Sequence, residues 1–165
     1  MTRTYDIGTT LVYPHHGAVT IIDVTTRTIK GTPTRYMTLK VHGSELVIQA
    51  AIDKAADLGV RDVIDQDGIE AVYALLRTAE VEEAANWSRR YKDNQAKMIS
   101  GDVYKVAAVV RDVWRRDQDK GISTGEKAML SRARQILTSE LALALHTTPE
   151  EADTALLRVL TTSSV

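Results

Sequence analysis

The sequence predicts an α+β chain of two units, a small bent β module followed by an all-α helical bundle. Three observations carry this expectation. Up to about residue 50, short runs rich in β-branched and aromatic residues alternate with turn signals. Beyond that point apolar residues recur at spacings of three and four, with capping patterns between the runs. At 165 residues, 44% hydrophobic and 26% charged, the chain has enough apolar material for one domain or two small ones, though each half alone is marginal.

Strands are expected over residues 11–13, 18–26, 35–41 and 45–49, where Val, Ile, Thr and Tyr concentrate. The turns between them are Pro14-His-His-Gly17, Lys30-Gly-Thr-Pro33 and His42-Gly-Ser44. Such short strands joined by tight turns form a strongly bent sheet or barrel. A brief helix is expected over 52–58, ended by Gly59, and a second over 67–77 with Ile69, Val72, Tyr73 and Leu76 on one face. A polar, acidic connector spans 78–85. Residues 86–100 form the next helix, stopped by Gly101. Asp102 caps a further helix whose Val103, Val106, Ala107, Val110, Val113 and Trp114 make one apolar stripe. Ser123-Thr-Gly-Glu126 has the capping-box pattern and opens a long helix with Leu130, Ala133, Ile136, Leu137, Leu141 and Leu145 inside. Thr148-Pro149 starts the last helix, with Pro at its first position, running to about residue 160 before a fraying end.

Several function classes fall away. No apolar run approaches the roughly 18 residues of a membrane span. The first residues lack the basic-then-apolar layout of a signal peptide. Cys is absent, which excludes disulfides and thiolate metal sites. The cytoplasm is the simplest compartment. His15-His16 is an adjacent pair with no evident third ligand, so a turn that contains two His is the reading, and no metal is expected. There is no G-x-S-x-G elbow, and Gly125-Glu-Lys127 lacks the glycine and strand that precede the end of a phosphate-binding loop. No catalytic residue or cofactor is therefore expected, and the chain is read as non-enzymatic.

The formal net charge of -1 hides an asymmetry. Residues 86–134 hold twelve basic side chains against six acidic ones, a nucleic-acid signal that helical surfaces alone can mimic. Within it, Asn86-Trp-Ser-Arg-Arg-Tyr-Lys92 combines an indole at a helix start with three cations, suited to an apolar wedge with phosphate contacts. Periodicity alone favours Trp87 packing inward with Tyr91, one turn later. Lys127, Arg132 and Arg134 flank the buried face of the long helix, either extending a basic surface or simply solvated.

Val12-Tyr-Pro-His-His-Gly17, Thr26-Arg-Thr-Ile-Lys-Gly31, Gly59-Val-Arg-Asp-Val63 and Asn86-Trp-Ser-Arg-Arg-Tyr91 occur in that order. Gly101-Asp-Val, Val109-Val-Arg-Asp-Val-Trp-Arg-Arg-Asp117, Gly125-Glu-Lys-x-Met-Leu130 and Ala133-Arg-Gln-Ile-Leu137 follow. The ordered set resembles the CarD/CdnL family of RNA polymerase-binding transcription regulators, its actinobacterial branch in particular, over about residues 5–160. The resemblance implies a Tudor-like small β-barrel over 1–52 that docks on the polymerase β subunit, and a helical DNA-binding domain over 53–165.

Arg27 and Ile29 fall on family positions that contact the polymerase, as one cation and one apolar anchor on an edge strand. Gln49-Ala50-Ala51 departs from the family pattern of a basic or apolar residue followed by Val-Pro. If Gln49 replaces an Arg, one charge-assisted contact to the polymerase is missing. Trp87 matches the family tryptophan that wedges into the minor groove at the upstream fork of the melted promoter, which reverses the inward reading. Arg89, Arg90 and Lys92 then grip phosphates, with Lys127, and Arg132 or Arg134, as further candidates. The implied role is stabilisation of the open promoter complex, notably at ribosomal RNA promoters. The alternatives are an architectural DNA-binding protein that does not touch polymerase, and a protein-interaction adaptor.

Overall fold

The computed structural model describes residues 4–78 and 86–162. The expected connector over 78–85 thus lies outside the described residues except for Thr78, as do the last three residues of the tail. The architecture is the expected α+β one, with the sheet curled into a half-barrel and five helices after it. Strands β1 (Thr10–Tyr13), β2 (Gly17–Ile29), β3 (Thr32–Val41) and β4 (Val47–Ala51) pair antiparallel in sequence order.

β2 and β3 run further than propensity predicted. Ile29 pairs with Thr32 across a two-residue turn, where Lys30 and Gly31 have φ of 52° and 79°. Two positive φ values are those of the hairpin turn whose twist matches the flanking strands, and Gly31 adopts one of them without steric cost. Pro33 is tolerated in β3 because β4 covers β3 only from Tyr36 to Lys40. Inside the curl lie Leu11, Val19, Ile21, Met37, Leu39, Val41 and Ala50. A register shift between Ile21 and Asp23 bulges β2 at Ile22, a device that bends a strand.

The expected helix over 52–58 is instead one 3-10 turn, Ile52–Lys54. Seven residues gain too little from helix hydrogen bonds alone, and here tertiary packing decides. Ala55 and Val60 bury against the sheet, and Arg61 pairs with Val12 of β1 through backbone bonds of 2.8 and 3.1 Å. The apolar contacts of the sheet therefore continue past residue 52, where the sequence reading divided the chain.

The helices are α1 (Gln66–Arg77), α2 (Trp87–Ile99), α3 (Val103–Asp119), α4 (Thr124–Leu145) and α5 (Pro149–Thr162). Their starts follow local chemistry. Asp65 accepts from the Gly68 amide, Asn86 from those of Ser88 and Arg89, and Asp102 from that of Tyr104, while Ser123 and Glu126 close a reciprocal capping box. One core unites Ile69, Val72 and Leu76 of α1, the predicted stripes of α3 and α4, and Leu156 and Leu160 of α5. Trp114 is half-buried against this core. α2 buries only Met98. Among the described residues no helix is long and apolar enough to cross a membrane.

Sheet and helices meet at a dense joint. The Arg61 guanidinium donates to Glu140 through Nη1 and Nη2 at 2.7 and 2.8 Å, and its Nε donates to the Gly101 carbonyl at 2.8 Å. Glu140, 2% exposed, also accepts from the Ile64 amide at 2.9 Å. Pro14 packs so closely on Gly59 and Gly101 that a Cβ at either would lie 2.9 Å from its Cγ. The Ala18 amide donates to the Ser139 hydroxyl, and Arg132 to the His15 carbonyl at 2.8 Å.

Candidate functional site

Two surfaces carry the residues singled out from the sequence. On the sheet, Arg27 faces Thr34, Ile29 faces Thr32 and Gln49 faces Thr38 in register. Met37 and Leu39 point inward, so strand alternation puts all three on the outer face. They do not cluster. Thr34 and Thr38 are four residues apart on β3, which separates Arg27 from Gln49 by about 13 Å along the strand. The Arg27 guanidinium carbon lies 5.4 Å from the centre of the Tyr36 ring, a cation–π contact that holds the side chain over the ribbon. Ile29 is 48% exposed at the end of β2. Beyond Ile21, β2 has no strand on its β1 side among the described residues, so an edge runs beside Arg27 and Ile29.

The second surface forms where the N-termini of α2 and α4 converge. Trp87 opens α2 and remains 46% exposed. Its ring stacks on Tyr91 at 5.2 Å and 16°, as the spacing of four predicted. The pair nevertheless sits at the rim of the helical core and not within it. The indole Nε1 donates to Glu126 Oε1 at 2.9 Å. That oxygen also accepts from the Ser123 hydroxyl at 3.1 Å, and from the Ser123 amide at 3.4 Å. Arg89 and Lys92 are exposed on α2, Arg90 is half-buried, and Lys127 is exposed immediately after Glu126. Arg89, Arg90, Lys92 and Lys127 thus lie in the first two turns of α2 and α4, where the helix dipoles also present their positive ends.

The remaining basic residues are divided by their partners. Arg134 lies two turns further along α4 and grips Asp153 of α5 through Nε and Nη2, at 2.7 to 3.1 Å. Its charge is balanced there. Arg111 donates to the Leu75 carbonyl, and Arg115 to those of Leu76 and Thr78. Both therefore satisfy the open carbonyls at the end of α1. Sequence reasoning found Glu126 only as a helix cap, and did not single out Tyr36, Arg61 or Glu140 as partners. The capping pattern was the one local signal; the Trp87–Glu126 and Arg61–Glu140 contacts join residues far apart in the chain.

Comparison with known proteins decides the family. The model described as "CarD, C-terminal domain" matches residues 71–157, more than half of the chain. The chain belongs to the CarD family. The "CarD-like/TRCF RID domain" model matches residues 5–64, so the half-barrel is the RNA polymerase-interacting unit that CarD proteins share with transcription-repair coupling factors. The two matches leave between them residues 65–70, the N-cap Asp65 and the first part of α1. The chain is also 28% identical over 137 residues to "Putative transcription factor YdeB" of Bacillus subtilis (strain 168), which covers 83% of this chain and 90% of that one. It is a CarD-like transcription regulator associated with RNA polymerase.

Proposed function

We propose that the outer face of the half-barrel docks on the polymerase β subunit while Trp87 enters the minor groove at the upstream edge of the promoter bubble. The half-exposed indole, fixed at its N–H edge and flanked by Arg89, Lys92 and Lys127, carries this reading. An apolar ring at the start of a cation-bearing helix suits DNA whose bases are partly unstacked, because the ring gains contact only where stacking has opened. Such a wedge binds the melted promoter better than the closed one, and differential affinity is what shifts an equilibrium. Each preference of about 1.4 kcal/mol raises the open population about tenfold.

A few phosphate contacts give weak, sequence-tolerant binding to DNA alone. Tethering through polymerase raises the effective concentration and makes both surfaces necessary. On the sheet side, Arg27 and Ile29 lie together beside an open strand edge, the arrangement used in recognition by strand addition. Gln49, uncharged and further along the same face, adds a polar contact at most. Arg90 belongs with Arg89 on the DNA side. Arg134, held by Asp153, serves the packing of α4 on α5 instead. Action at ribosomal RNA promoters, in the cytoplasm and on the nucleoid, completes the proposal.

Two variants separate the halves. Trp87→Ala should leave polymerase capture unchanged and remove most activation in a run-off transcription assay. Arg27→Glu should weaken capture about tenfold or more, by replacing a favourable charge with a repelled one. Full activation by Trp87→Ala contradicts the wedge. Undiminished capture by Arg27→Glu contradicts the docking face.

A further inference from the structure

We propose that Glu126 is a positioning residue that presets the indole of Trp87 for its DNA contact, an inference that rests on the wedge reading. The helix that Glu126 caps does not by itself account for its geometry. In a capping box the acidic side chain serves the backbone N–H at the helix start. Here that contact, from the Ser123 amide, is the longest of the three at 3.4 Å, whereas the indole N–H approaches to 2.9 Å. Glu126 is 6% exposed, so its carboxylate is a fixed acceptor under the rim and not a mobile surface charge. Hydrogen bonds to such an acceptor are stronger than neutral ones and better defined in direction.

The ring is also held on one face by Tyr91, which is itself packed against the helical core. An N–H edge and one ring face are thus engaged, and the remainder of the indole stands in solvent. Trp87 opens its helix, where few neighbours restrain a side chain. Without Glu126 the indole has other rotamers available, and selecting one on binding lowers affinity for the melted promoter.

The chain contains two Trp, so its indole N–H spectrum has two resonances, and that of Trp87 is the one lost in Trp87→Ala. Glu126→Ala should move this resonance and shorten the open-complex lifetime about tenfold relative to the wild-type chain, a factor equal to about 1.4 kcal/mol. Glu126→Gln, whose amide oxygen still accepts, should restore both. Ser123→Ala weakens the capping box but spares the indole contact; it should lower thermal stability while keeping the resonance and the lifetime. A resonance unmoved by Glu126→Ala, or lifetimes in Glu126→Ala no shorter than in Ser123→Ala, overturns the positioning role. If Trp87→Ala itself gives wild-type lifetimes, the wedge reading fails and this proposal with it. Short lifetimes for Trp87→Ala beside normal ones for Glu126→Ala refute the positioning role alone.

Discussion

At the scale of single residues, the outcome for Trp87 shows what one sequence holds and what it lacks. Its spacing from Tyr91 was legible, and the two rings do stack. That the pair sits at the rim was not legible in the spacing, and only the family resemblance turned Trp87 outward, because the deciding contact joins it to Glu126, 39 residues away. The two histidines with shifted acidities carry a further consequence. His42 shares a 2.6 Å hydrogen bond with the Thr20 hydroxyl, and burial, then the nearby Lys40, lowers its pKa below the ordinary 6.5. His16 is lowered by burial first, then by His15 and Arg132. A lowered folded-state pKa means that the fold favours the neutral ring. The stability it contributes is present above about pH 6.5 and is lost as the pH falls through the folded-state value. Thermal melts should therefore drop on acidification below that point, with a shallower drop in His42→Gln. Equal slopes in the two proteins contradict this assignment.

At the scale of elements, helix starts were the most legible feature. Asp102, Ser123 and Thr148 cap helices where their short polar side chains predicted, since a cap is a local interaction, and Asn86, expected as the first residue of its helix, is its cap. Strand ends were less so. Propensity ended β2 near residue 26, yet the Lys30–Gly31 turn extends the pairing to Ile29 and carries Arg27 out along an exposed ribbon. The predicted helix over 52–58 gave way to the burial of Ala55 and Val60 on the sheet. In both cases the chain followed a contact outside the window in which propensity is read. The basic stretch divides in the same manner. Arg111 and Arg115 close the end of α1 and Arg134 ties α4 to α5, so several cations of the stretch serve the packing of the helices.

At the scale of the whole molecule, three of the recurring sequence motifs meet at the joint between sheet and helices. Pro14 belongs to the first and packs on Gly59 of the second and Gly101 of the third, and Arg61 of the second bonds both the Gly101 carbonyl and Glu140. A buried, bidentate ion pair is costly to break from one side, because the partner left behind remains partly desolvated. Since the Arg61 side chain is 29% exposed, Glu140→Ala should cost about 3 kcal/mol or less, at the lower end for such pairs. Loosening the joint should also separate the two functions. Polymerase capture persists, while open-complex stabilisation declines more than the loss of folded protein explains. A proportional loss of both would assign the joint to stability alone.

The central claim is that a polymerase-tethered indole holds the promoter open, and the lifetime of open complexes tests it most directly. Complexes formed by the cognate polymerase on a ribosomal RNA promoter should dissociate several-fold more slowly when the protein is present. An unchanged lifetime, with the protein demonstrably bound to polymerase, would contradict the account.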